Sequence, residues 1–281
     1  MPTRREVIDR LRRALVPLYA PREAEQIARR VACRLGGFSL TEYVVRPDSP
    51  AEIPGLDRTI EELAAGRPMQ YVLGCEEFCG REFEVGEGVL IPRPETEELV
   101  EAVAAGRPRP GALLDVGTGS GCIAVSLALR MPGTRITAVD TSAAALAVAR
   151  RNARRLGAAV RFVRDDALAG LPALASERFD AIVSNPPYVP SGDRAAMHVN
   201  VRGYEPPEAL FVPDDDPLLF YRAIARAARR LLRPGGRMWF EIYERLADET
   251  MQLCSDEGFG RTALRCDINE KPRIVCCTLE K

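Results

Sequence analysis

The stretch ALLDVGTGSGCIAVSLALR, residues 112–130, decides how this chain folds. Ala112 to Val116 reads as a buried strand, and Gly117-Thr118-Gly119-Ser120-Gly121 turns it into an apolar helix from Ile123 to Arg130. Glycines let backbone approach a ligand closely, and the helix start offers unpaired N–H groups. A dinucleotide fingerprint would place its third glycine at position 122, where Cys122 stands. The G-x-G-x-G spacing suits a nucleoside ligand without a pyrophosphate better. Asp140 ends the next strand, where a carboxylate can accept hydrogen bonds from both ribose hydroxyls. The combination favours S-adenosylmethionine, held by Gly117, Thr118, Gly119, Ser120, Gly121 and Asp140.

Downstream, strands at Arg135–Val139 and Val160–Val163 alternate with a helix at Ala143–Leu156, the mark of a doubly wound, mostly parallel α/β sheet. Asp165-Asp166 closes the third strand, at the level where an adenine edge could be read. After a helix ending near Leu232, Arg233-Pro234-Gly235-Gly236 is expected to turn the chain into a strand at Met238–Ile242. Strands around Thr262–Cys266 and Arg273–Thr278 should pair as an antiparallel edge hairpin.

Upstream the period changes. Val7, Ile8, Leu11 and Leu15 form a helical stripe ended by Pro17. Ala24, Ile27, Ala28, Val31 and Leu35 form a second, started by Pro21 and stopped by Gly36-Gly37, and Ile60, Leu63 and Ala64 a third, closed by Gly66. Phe83 and Val85 alternate before a Gly86-Glu87-Gly88 turn and Val89-Leu90-Ile91, a pattern that predicts a hairpin. The expected organisation is therefore a helical domain at 1–72, a hairpin linker at 73–92 and the doubly wound domain at 93–281.

The formal charge of −1, from 39 basic and 40 acidic residues, supplies no global field for nucleic acid or an anionic membrane. Residues 1–80 are balanced too, with twelve arginines against twelve acids, so this helical module suits a protein partner better than a polyphosphate. No apolar run approaches the roughly 18 residues of a membrane span. The start, carrying Glu6 and Asp9, suits neither a secretory signal nor a transit peptide, so a cytoplasmic protein is expected. Eight scattered cysteines and one histidine predict neither a disulfide framework nor a metal site. His198 is expected in a solvated loop, Trp239 in the core, and Arg222, Arg226, Arg229 and Arg230 on a solvated helix face.

Residues 183–190, VSNPPYVP, follow the apolar strand Phe179–Ser184. Proline cannot donate to a sheet ladder, so the strand must end at about Asn185 and leave that side chain at its tip. Ligands of a doubly wound sheet bind beyond the carboxyl ends of the strands, which sets Asn185-Pro186-Pro187-Tyr188 on the same rim as the glycine turn. The Asn185 side-chain oxygen and the Pro186 carbonyl are two rigidly directed acceptors that fit an –NH₂ group, and Tyr188 offers a flat face for stacking. An amide or aryl-amine nitrogen is nearly non-basic. Acceptors that hold its N–H bonds and stabilise developing positive charge serve it better than a general base does.

These motifs resemble the class I S-adenosylmethionine-dependent methyltransferases that modify the glutamine amide of peptide-chain release factors, over nearly the whole chain. Asn185-Pro186-Pro187-Tyr188 is shared with amino-methylating DNA enzymes. Gly66-Arg67-Pro68-Met69-Gln70-Tyr71-Val72-Leu73-Gly74, Ile91-Pro92-Arg93-Pro94-Glu95-Thr96-Glu97 and Tyr204-Glu205-Pro206-Pro207-Glu208-Ala209-Leu210 narrow the resemblance. It implies that the helical domain docks a class I release factor, whose Gly-Gly-Gln loop presents its glutamine N5 beside the donor. It further implies that Gly117 to Gly121, Asp140 and Asn185 hold the donor, that Asp166 and Ala167 lie near its adenine, and that Pro92 to Thr96 cover its methionine end. Asn185, Pro186, Pro187 and Tyr188 would receive the glutamine, with Asn185, Pro186 and Tyr188 catalytic. Two departures stand out: Phe211 to Pro217 replaces a glycine-containing turn, and Ala167 stands where an aromatic residue is common. A monomer without direct nucleic-acid or membrane contact is expected. The alternatives are a nucleic-acid adenine N6-methyltransferase, which calls for a basic groove and a target-recognition domain, and a non-catalytic donor-binding interaction protein.

Overall fold

The computed structural model describes residues 1–280 and divides the chain into two compact units. One unit comprises Met1–Cys75 with Met197–Tyr204, and the other runs over Glu76–Ala196 and from Glu205 onward.

In the first unit, α1 (Arg4–Leu15) starts at a reciprocal cap. The Thr3 hydroxyl accepts the Glu6 N–H and the Glu6 carboxylate accepts the Thr3 N–H. Its stripe of Val7, Ile8, Leu11 and Leu15 is fully buried against α2 (Pro21–Gly36), whose Ala24, Ala28 and Val31 complete the contact. Gly37, at φ 65°, takes the left-handed position that ends α2. The short helices α3 (Leu40–Val45), α4 (Leu56–Ala64) and α5 (Met69–Leu73) close this core, with Leu63 of the expected third stripe buried inside it.

A hairpin follows, β1 (Cys75–Phe78) and β2 (Arg81–Glu84), all but its first residue belonging to the second unit. Its turn is at Cys79 and Gly80, with φ 51° and 68°, not at Gly86–Gly88 as the alternation predicted. Two successive left-handed residues make the tight connection that matches strand twist, so this turn wins over the longer glycine segment. Val89–Ile91 is accordingly not a strand. Then follow α6 (Pro94–Ala105), β3 (Ala112–Val116), α7 (Cys122–Arg130), β4 (Arg135–Asp140), α8 (Ala143–Leu156), β5 (Val160–Arg164) and β6 (Phe179–Ser184). The Asn152 side chain of α8 accepts the Glu84 N–H and donates to the Glu84 carbonyl, so the hairpin packs against α8.

The short strands β7 (Val189–Pro190) and β8 (Phe211–Val212) pair with each other, and α9 (Val199–Arg202) lies between them in sequence. The chain continues through α10 (Leu219–Leu231), β9 (Leu232–Glu241), α11 (Ala247–Asp256), β10 (Phe259–Cys266) and β11 (Pro272–Leu279). The turn expected at Arg233–Gly236 is absorbed into β9 as an irregularity, where the pairing steps from Phe179↔Leu232 to Ala181↔Arg237.

The seven-stranded sheet has the order β10-β11-β9-β6-β3-β4-β5. Strands β9, β6, β3, β4 and β5 run parallel, while β11 and β10 form the antiparallel edge. Every residue of β3 is buried because helices cover both faces. Leu114 and Val116 face one core with Tyr221, Met238 and Phe240, whereas Leu113 faces the other with Leu99, Val125 and Trp239.

Register is what builds the site. Val116 lies opposite Ser184 on one side and Val139 on the other, and Asp140 lies opposite Arg164. Each strand therefore releases its next residues at the same edge: Gly117 from β3, Asn185 from β6, Asp140 at the end of β4 and Asp165 after β5. The Ser184 hydroxyl donates to the Val116 carbonyl at 2.7 Å and pins the two central ends together.

Candidate active site

The glycine turn leaves β3 with Gly117, Gly119 and Gly121 all left-handed, at φ 75°, 54° and 81°. Side chains resist that backbone region, so the sequence needs glycine at each position. The three serve different ends. A Cβ added at Gly117 or Gly119 would meet no protein atom within 4 Å, and both residues line a cavity of about 420 Å³. At Gly121 it would sit 2.9 Å from the Ala149 Cβ of α8, so this glycine makes room for helix packing. The intervening side chains turn inward. The Thr118 hydroxyl donates to the Asp115 carboxylate at 2.7 Å and Ser120 is buried, so neither side chain reaches the cavity.

Asp115 lies wholly inside the protein, and burial pushes its carboxyl up to about 7 against the opposing Thr118 hydrogen bond. Asp140 sits at the cavity wall. One of its oxygens accepts the Gly119 N–H and the other the Ser142 N–H, both at 2.9 Å. Burial also raises this carboxyl, opposed by those backbone donors. A carboxylate has about four lone-pair sites, so both oxygens keep capacity for a ligand diol.

Asp165, Asp166, Ala167 and Leu168 line the same cavity. Asp165 commits its two oxygens to the N–H groups of Asp166 and Ala173, whereas Asp166 commits one to Leu168. Phe220 and Ile224 of α10 supply apolar wall beside the small Ala167. Sequence reading missed them because a helical apolar stripe does not announce which of its members meets a cavity. Gly88, Val89 and Leu90 form another part of the wall, as do Pro206, Glu208 and Ala209. Pro92 to Thr96, expected to cover the ligand, does not line this cavity.

Asn185, Pro186 and Pro187 reach the cavity and Tyr188 does not. The Tyr188 ring stacks on Tyr243 at 5.9 Å with 14° between planes, and its hydroxyl donates to Glu241 Oε1 at 3.1 Å. Burial raises the phenol far above its ordinary range, so it stays protonated as a donor. Tyr188 thus braces the corner through Tyr243 and Glu241 and lies outside the cavity lining. Asn185 Nδ2 donates to the Thr96 hydroxyl at 3.2 Å, and that hydroxyl donates to Glu241 Oε2 at 2.7 Å. Glu241 is buried, which raises its carboxyl, opposed by hydrogen bonds from Thr96 and Tyr188 and by the charge of Arg273.

The two motif segments around the corner meet through Glu205. This buried carboxylate accepts the Ile91 N–H at 3.0 Å and pairs with Arg93. His198 is elsewhere. It caps α9 with its ring 4.8 Å from Tyr19 and Nε2 at 2.9 Å from the Leu18 carbonyl, within the helical unit.

The cavity's features fit S-adenosylmethionine: open space beyond two glycine backbones, a rim carboxylate, and an apolar slot next to a second acid. Residues 93–201 match the methyltransferase small domain family. The chain is 40% identical to the release factor glutamine methyltransferase of Bacteroides thetaiotaomicron over 268 residues, 94% of this chain and 96% of that protein. It is likewise 40% identical to the enzyme of the same name from Cereibacter sphaeroides over 276 residues, 95% and 96% of the two chains. The chain belongs to the release factor glutamine methyltransferase family. Its fold is shared with a Pyrococcus furiosus methyltransferase, at a TM-score of 0.54 and 17% identity over 73% of this chain and 91% of that one. A T. thermophilus 16S rRNA N2 G1207 methyltransferase is similar at 0.53 and 19% identity, over 74% and 50% of the two chains. Among the described residues, no helix is long and apolar enough to cross a membrane.

Proposed function

We propose that the chain transfers a methyl group from S-adenosylmethionine to the side-chain amide nitrogen, N5, of the glutamine in the Gly-Gly-Gln loop of class I release factors. The observation that carries this reading is the register that sets Asn185 beside Gly117 and Asp140, so that an amide acceptor and a nucleoside pocket share one rim. S-adenosylmethionine supplies an electrophilic methyl group when bound. In this reading the Gly117 and Gly119 backbone and Asp140 hold it, with Asp166, Ala167, Phe220 and Ile224 around its adenine.

Asn185 Oδ1 and the Pro186 carbonyl accept the two N–H bonds of the substrate amide. An amide nitrogen holds its lone pair in conjugation, and two fixed acceptors favour the pyramidal, positively charged nitrogen over the planar one. The two successive prolines after Asn185 restrict the backbone, so these acceptors need no reorganisation as charge develops. Tyr188 acts through the corner and not by touching substrate. The helical unit serves as the protein-docking module, and the protein works as a monomer in the cytoplasm.

The test is mass spectrometry of the release factor's glutamine peptide after incubation with the protein and the donor. The expected result is a methyl-sized mass gain on that glutamine. Asn185→Ala should lower turnover by at least about 100-fold, the effect of losing one preorganised contact, with donor affinity retained. An unmodified glutamine, with donor bound and factor folded, would remove the assignment.

A further inference from the structure

We propose that Thr96 and Glu241 are positioning residues that decide which end of the Asn185 carboxamide faces the cavity. The role rests on the reading of Asn185 as the acceptor for the substrate amide. A carboxamide has two ends of nearly equal shape and opposite hydrogen-bonding character. If Asn185 turned its –NH₂ into the cavity, donors would face the donors of the substrate amide and the corner would repel its guest. Proline rigidity fixes the backbone but does nothing to prevent that flip.

Thr96 and Glu241 prevent it through one hydroxyl hydrogen. Thr96 is 2% exposed and Glu241 is 1% exposed, so no bulk water competes at either group. The Thr96 Oγ1 lies 2.7 Å from Glu241 Oε2 and 3.2 Å from the Asn185 amide. The Thr96 hydroxyl donates to Glu241 Oε2, so its single hydrogen points there. Toward Asn185 the Thr96 oxygen can then only accept. Asn185 must present Nδ2 to Thr96, which leaves Oδ1 for the cavity. Glu241 is itself held from the other side, since Tyr188 donates to Oε1 at 3.1 Å and Tyr221 donates to the Glu241 backbone carbonyl at 3.2 Å. Together these contacts give a continuous donor direction running from Asn185 through Thr96 to Glu241. They also give Thr96, Tyr188 and Glu241 a common purpose that the cavity lining does not reveal.

Steady-state methylation of a release factor by the protein tests this with Thr96→Val, Thr96→Ser and Glu241→Leu, each checked for donor affinity by calorimetry. Thr96→Val keeps the shape and removes the hydroxyl. Its kcat is expected to fall about tenfold or more, the bias of one oriented hydrogen bond, with KM for the factor and donor Kd within about twofold, as for an interaction felt at the chemical step. Thr96→Ser restores the hydroxyl and should return kcat to within about threefold of wild type. Glu241→Leu removes the acceptor for the Thr96 hydrogen, frees that hydrogen to turn toward Asn185 and should be slow like Thr96→Val. Unchanged kcat in Thr96→Val or Glu241→Leu overturns the proposal, as does a Thr96→Ser enzyme as slow as Thr96→Val, which would mark packing as the cause. If Thr96→Val fails to bind donor, the Thr96→Ser and Glu241→Leu variants decide by the same criteria. Wild-type protein that leaves the glutamine unmethylated would refute the proposed function itself. Active wild type with an unaffected Thr96→Val refutes only the positioning role.

Discussion

Gly117 and Gly121 are both left-handed glycines of one turn, and the structure assigns them different losses on substitution by alanine. At Gly117 the cost is conformational alone, since φ is 75° and nothing lies within 4 Å of the added Cβ. A left-handed non-glycine residue costs about 1–2 kcal/mol. At Gly121 the same penalty applies, and the new Cβ also meets the Ala149 Cβ at 2.9 Å and its Cα at 3.2 Å. Carbon pairs prefer about 3.5–4.0 Å, and overpacking of this kind costs roughly 1–3 kcal/mol because helix α8 must shift. Gly121→Ala should therefore be less stable than Gly117→Ala by about 2 kcal/mol, or roughly 4–8 °C in melting temperature for a unit of about 200 residues. Calorimetric melting of both variants, and of Gly121→Ala with Ala149→Gly, checks the cause. The second substitution relieves the contact, so the double variant should recover about 1 kcal/mol or more beyond additivity. Additive losses, or equal melting temperatures for the two single variants, would show that Gly121 is not there to admit α8.

Beyond Asn185→Ala and the Thr96 and Glu241 variants, two further outcomes are expected. The Asp115 carboxyl, raised by burial from 3.8 to about 7, makes the folded state bind a proton that the unfolded chain releases, so this group's contribution falls as pH rises from about 4 to 7 and is lowest above 7. Asp115→Asn should remove that dependence, worth about 4 kcal/mol in all, and denaturation from pH 4 to 8 that shows parallel curves for wild type and variant would contradict it. Asp140→Ala should weaken donor binding about tenfold or more, since a charged hydrogen-bond acceptor is removed, and titration calorimetry showing equal affinity would take Asp140 out of the site.

Much of the catalytic unit was legible because its signals are local. The helix at Ala143–Leu156 carries a Ser142 cap and a Gly157 stop beside its apolar stripe, and the structure reproduces its bounds. The strands failed to be legible where several turn signals competed. Cys79-Gly80 outcompeted Gly86–Gly88 because two adjacent left-handed residues close a hairpin, and a cysteine in that conformation gives no sequence signal. At Tyr188 the sequence offers a flat ring and a hydroxyl but not the direction of either. A tyrosine after two prolines can face solvent, ligand or core, and a buried acceptor more than fifty residues away, Glu241, draws its hydroxyl inward.

The alternation of apolar strands and helices, the glycine turn, the acid at a strand end and the proline-locked amide were all determined by the amino-acid order itself. Each depends on the conformational limits of a few neighbouring residues, and those limits act before the chain has folded. Sheet order, register and the partners of buried polar groups were decided only in three dimensions. Thr96 meets Asn185 across 89 positions and Glu241 across 145. Such pairs are chosen by the burial of two sheet faces at once, a constraint on the whole unit that no local stretch carries.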